Sequence, residues 1–160
     1  MKTRPIFERL PGVFSDVLIV AWIGSLWTIG YLVVPILFQM LDKKLAGQLA
    51  GQMFVVEYWM GCASAVLLII LERSLNSEIP LRFWIASVGL FILDLVQLFV
   101  IHPMIVAVKQ EIAQGADLNS RFATLHAIGS ILYLLMSLLG LMLVLTHFRS
   151  LDSEGVKGHG

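Results

Sequence analysis

Four long stretches of this chain carry almost no formal charge, and that spacing constrains the fold more than any other feature. Val17–Leu41 and Phe122–Phe148 have none, Leu45–Leu71 has Glu57 alone, and Phe83–Val108 has Asp94 alone. A helix rising 1.5 Å per residue needs about 20 apolar residues to cross a hydrocarbon core of ~30 Å. A Lys, Arg or Asp at its centre costs roughly 2.5 to 3.5 kcal/mol on insertion scales. Each stretch is long enough to span. A spanning segment must also satisfy its own backbone groups, and none of these runs alternates as a barrel strand would. The expected fold is therefore all-α: an integral membrane four-helix bundle, one transmembrane domain over residues 1–160, with spans at about 14–40, 46–72, 83–108 and 121–148.

Composition narrows the function. With 58% hydrophobic and 14% charged residues the chain lies outside the balance of a soluble globular enzyme. Eleven Lys and Arg against eleven Asp and Glu leave no basic field for nucleic acid and no disordered polyelectrolyte. Cys62 is the single cysteine, so an internal disulfide and the multi-cysteine spacings of zinc or iron–sulfur sites are both excluded. The P-loop, GxSxG and HExxH patterns are absent. Tails and loops are too short to carry a soluble domain, and a non-enzymatic role is expected.

Orientation follows from the basic residues near span ends. Lys2, Arg4, Arg9, Arg73, Arg82, Arg149 and Lys157 fall on one side, and Lys43, Lys44, Lys109 and Arg121 on the other. Seven against four favours both termini in the cytoplasm, and the expected location is a bacterial inner membrane. The first apolar run is too long for a signal-peptide core and no small-x-small cleavage site follows it before Pro35, so it is expected to be retained.

The sequence also repeats weakly on itself. A shift of 68 places Pro35 on Pro103, Gly47 on Gly115, Phe54 on Phe122 and Gly61 on Gly129. Each half reads as a helix ending near a proline, a short loop with glycine, and a returning helix. Both halves enter from one side, so two helical hairpins would be related as a parallel repeat, with functional groups near the interface between them. Gly47, Gly51 and Gly61, with Ala46 and Ala50, make a small-residue face on the second span. It suits close packing within the bundle, or against a homo-oligomeric or other membrane-protein partner.

Polar residues within the spans are the candidate site, because ionisable groups there are costly and face an interior or a cavity. Counted from the span ends, Glu57 and Asp94 each lie roughly 16 Å deep, near mid-membrane. His126, Ser130, Tyr133 and Ser137 fall within about 60° of one another on the fourth span. A polar track of Glu57, Asp94, His126, Tyr133 and Tyr58 could thus run from the outer face to mid-membrane. Three chemistries could use it. One is proton-coupled movement of a small solute or ion, with the carboxyls sharing a proton and His126 as outer relay. Another is a haem or copper site on His102 and His126. The third is no chemistry, the polar faces only fixing helix register in an accessory membrane subunit. No cofactor is expected under the first and third readings.

Ala21-Trp22-Ile23-Gly24, Phe54, Gly61, Pro103 and Phe122 with His126-Ala-Ile-Gly-Ser130 resemble the transmembrane protein 205-like family across all four spans. The resemblance implies a four-helix integral membrane protein and no particular activity. Ala21-Trp22-Ile23-Gly24-Ser25-Leu26 and Pro35-Ile36-Leu37-Phe38 are similar, more weakly, to copper-resistance D-type proteins and bacterial membrane protoporphyrinogen oxidases. That similarity implies a haem or copper role, although the oxidase's first-span histidine would fall on Ser15.

Overall fold

The computed structural model describes residues 6–74 and 80–157, with side chains over 12–73 and 80–147. Helices long and apolar enough to cross a membrane cover Gly12–Met40, Lys43–Arg73, Leu81–Ala113 and Asn119–His147. The chain is a multi-pass membrane protein with an all-α, four-helix fold. Its outward residues are as apolar as its core: Val20, Trp59, Ile92 and Leu138 are all exposed large hydrophobics, a surface suited to lipid and not to water.

In chain order the elements are α1 (Ile6–Trp27), a π turn (Thr28–Val33), α2 (Val34–Met40), α3 (Lys43–Ser74), α4 (Leu81–Val96), a second π turn (Gln97–Ile101), α5 (His102–Ala113) and α6 (Asn119–Lys157). α1 packs on α3 and α6, and α4 packs on the same two, so each span lies between its neighbours in an up-down-up-down ring. Trp22 and Leu26 from α1, Tyr58 and Leu68 from α3, Phe83 and Leu90 from α4, and Met136 and Leu143 from α6 fill the axis. The start of the first span and the end of the fourth meet, Asp16 bonding His147 at 2.6 Å. This is called the terminal end below, and the opposite end the loop end.

Both loop-end turns have local causes. Asp42 caps α3, its Oδ1 accepting from the N–H groups of Lys44 and Leu45 at 3.1 and 3.0 Å. Gly115, at φ +99°, closes α5: its N–H donates to Ile112 O at 3.0 Å and that of Ala116 to Glu111 O at 3.1 Å. That is a Schellman motif, which favours glycine at the left-handed position.

The two π turns end immediately before Val34-Pro35 and His102-Pro103. Proline lacks an N–H and its ring clashes with the carbonyl four residues back. Here the ladder widens instead of breaking, the N–H of Val34 reaching Ile29 O and that of His102 reaching Gln97 O, five residues back. The helices therefore continue past each proline to Met40 and Ala113. Pro35 and Pro103, 68 apart, carry the same device in both halves, which supports the repeat at that point. The pairing of Gly47 with Gly115 does not survive: Gly47 lies inside α3, whereas Gly115 lies in the turn after α5.

Candidate functional site

Glu57 projects from α3 and Asp94 from α4, and each is 0% exposed. The Asp94 carboxyl is seated on Gly61. A Cβ added there would stand 2.7 Å from its Cγ and 2.8 Å from its Oδ1, so this close approach requires glycine. Gly61 is one turn from Glu57 on the same face of α3. The Gly61 seat of the Asp94 carboxyl thus lies about 6 Å along the helix axis from Glu57. None of the four carboxyl oxygens of Glu57 and Asp94 has a hydrogen-bond partner within the protein. Tyr58, next to Glu57 in the chain, is buried, and so is Tyr133 of α6. A bare charge in such surroundings is strongly disfavoured, and two adjacent like charges more so. A proton or a bound cation is the physical means of neutralising them.

Aromatic rings close the space toward the loop end. Phe54 stacks on Tyr58 with centroids 6.1 Å apart and meets Tyr133 edge-on at 5.2 Å. The Tyr133 hydroxyl donates to Leu26 O at 2.5 Å, and its ring lies over Gly30, where an added Cβ would stand 2.8 Å from Cζ. Gln97 donates through Nε2 to Gly129 O at 2.9 Å. Tyr31 of the first π turn shares a hydrogen bond with Ser137 Oγ at 2.8 Å, so both π turns are tied to α6. Toward the terminal end the pattern differs: Ser87, Trp22 and Ser15 are buried, and Ser87 Oγ, Trp22 Nε1 and Ser15 Oγ have no partner.

A family model described as a domain of unknown function (DUF4149) matches residues 17–114, more than half of the chain. The chain belongs to the DUF4149 family. No curated protein and no solved structure matches it. The DUF4149 region holds both π turns, Glu57, Gly61 and Asp94; Tyr133 and His147 come from α6, outside it.

Of the residues expected to form the track, this DUF4149 chain brings together Glu57, Asp94, Tyr58 and Tyr133. His126 is not among them. It is exposed on α6, its ring stacked on Phe122 at 5.9 Å, although it shares a helical face with Tyr133. At the loop end α2 packs on α3 and α5 packs on α6, and the His126 side of α6 is left open. Ser130 is exposed too, its hydroxyl returned to His126 O at 2.9 Å.

His102 is half-buried and faces α3, its Nε2 3.8 Å from where a Cβ on Gly51 would lie. His102 and His126 thus turn to different neighbours. Among the described residues no three His, Cys, Asp or Glu side chains come together to hold a metal ion. The small face of α3 is used within the chain, with Ala46 and Ala50 buried and Lys109 Nζ donating to Gly47 O at 3.3 Å. The pattern reading missed the terminal-end pair of Asp16 and His147. A histidine one residue from the end of an apolar run was the available signal.

Proposed function

We propose that this DUF4149 protein handles protons inside the membrane, Glu57 and Asp94 sharing or exchanging a proton in step with movement of a small solute or ion. The observation that carries the reading is the fully buried pair with four unpartnered oxygens. A merely structural carboxyl would spend its hydrogen bonds on the neighbouring helices, as Gln97 and Tyr133 do. The same reading places the protein in a bacterial inner membrane with both termini cytoplasmic, on the seven-to-four balance of basic residues.

The test is infrared spectroscopy of the full chain reconstituted in lipid. A protonated-carboxyl C=O band should be present, and Asp94→Asn and Glu57→Gln should each remove part of it. In proteoliposomes carrying a trapped pH dye, Asp94→Asn should abolish protein-dependent proton movement while the purified protein stays monodisperse. A band absent throughout, or proton movement untouched by Asp94→Asn, would turn the assignment to an accessory membrane subunit. A visible spectrum and elemental analysis of the same preparation address the haem or copper alternative on His102 and His126. A Soret band or stoichiometric copper, lost on substituting both histidines, would displace the proton reading.

A further inference from the structure

The unpartnered buried polar atoms of this chain are not scattered. Ser87 lies seven residues before Asp94 on α4, two turns or about 10 Å nearer the terminal end on the same face. Trp22 lies on α1 at a matching level. Gly140 of α6 meets the side chain of Ile23 and Gly89 of α4 meets that of Leu139, which aligns Trp22 with the Ser87 region of α4. Ser15 lies two further turns toward the terminal end. Each is at most 1% exposed, and Ser87 Oγ, Trp22 Nε1 and Ser15 Oγ are unbonded within the protein. On the loop-end side of Glu57 no such atom occurs among the described residues. Ordered water is the usual partner of a buried polar group that no protein atom reaches.

At the terminal end this row reaches Asp16 and His147, 2.6 Å apart, with the side chains 35% and 10% exposed respectively. Asp16 meets the surroundings and His147 faces inward beside the Phe83 ring of α4, at 6.1 Å. On α3 the buried Glu72 lies near the same end of the bundle. We infer that the Glu57–Asp94 pair exchanges protons with the terminal side of the membrane only, along a hydrated file supported by Ser87, Trp22 and Ser15, with Asp16 and His147 as its port. This rests on the proton-handling reading and gives it a direction opposite to the outer relay that the sequence suggests. Each proton taken up at Asp16 is matched by one leaving His147 into the file and one reaching the carboxyl pair. Only O–H and N–H bonds are exchanged, and water is the sole co-reactant.

The experiment follows the carboxyl C=O band of the full chain in lipid after the bathing water is switched to D2O, and reads the rate at which the band shifts. Ser87→Val, Trp22→Phe and His147→Gln are each expected to slow exchange about tenfold, the effect of losing one hydrogen-bonding station on the path. His102→Gln and His126→Gln are expected to leave it unchanged. Trp22 is a core side chain, so Asp16→Asn, at the open port, serves as the variant least able to disturb folding. Exchange slowed by the loop-end histidines and not by the terminal-end set would overturn the route while leaving the carboxyl pair in place. A band absent in the unaltered protein would overturn the underlying reading instead.

Discussion

Gly61 shows how much one missing methyl group decides. It gives the Asp94 carboxyl its seat against α3, one turn from Glu57. Gly61→Ala should therefore force the carboxyl aside and cost about 1 to 3 kcal/mol, the usual range for an overfilled core site. In an Asp94→Ala background the same change should cost little, because the atoms it strikes are gone. The double-mutant cycle, read by denaturant unfolding in micelles, should show a coupling of at least about 1 kcal/mol. Equal costs in both backgrounds would mean that the carboxyl sits elsewhere.

The inward facing of Glu57 and Asp94 was legible from the sequence, since a lone acid in an otherwise charge-free span has nowhere cheaper to point. His126 was not, because helical phase ties it to Tyr133 but cannot say which neighbour covers a face at a given depth. Gly61 was legible as a small residue and not as the partner of a particular side chain. Asp16 and His147 lie 131 residues apart, and no local pattern joins them.

Among the elements, the π turns are the least expected from pattern and the most consequential. Proline inside a helix ordinarily kinks or breaks it. The chain instead absorbs the proline in one wide turn, and the helix goes on to Met40 or Ala113. A π turn holds about one residue more than the α-helix it interrupts. Deleting Val100, an exposed residue inside the second turn, should convert that turn toward α geometry and keep both Asp94 and Val108 on their buried faces. Deleting Ile92, equally exposed but within α4, should rotate everything before it by about 100° relative to everything after. Ser87 and Asp94 would no longer share a face, and one of them would meet lipid. The first deletion should give a detergent-stable, monodisperse protein and the second should not. Size-exclusion profiles of the two settle it, and equal tolerance would mean that the widened turn is not a register device.

Across the whole molecule, the carboxyl pair belongs to neither half alone. Glu57 and Gly61 come from the first hairpin and Asp94 from the second, and the α3–α4 and α1–α6 contacts that bring them together all cross between halves. The prolines and π turns match at a shift of 68, yet the acids are unique to one position each: that shift places Leu125 opposite Glu57 and Leu26 opposite Asp94. The halves thus differ where they meet on the axis, one giving a seat and an acid, the other an acid that needs the seat. If the site is the product of that interface, severing the chain between residues 74 and 80 should leave two hairpins that assemble when made together. Made separately, each would hold an acid facing lipid with no partner, at a cost of a few kcal/mol that a two-span hairpin has little packing to offset. Co-purification of tagged halves checks this. Recovery of the pair, with the carboxyl infrared band present only in the complex, is the expected result. A stable, band-carrying single hairpin would show that the two acids do not depend on each other's half.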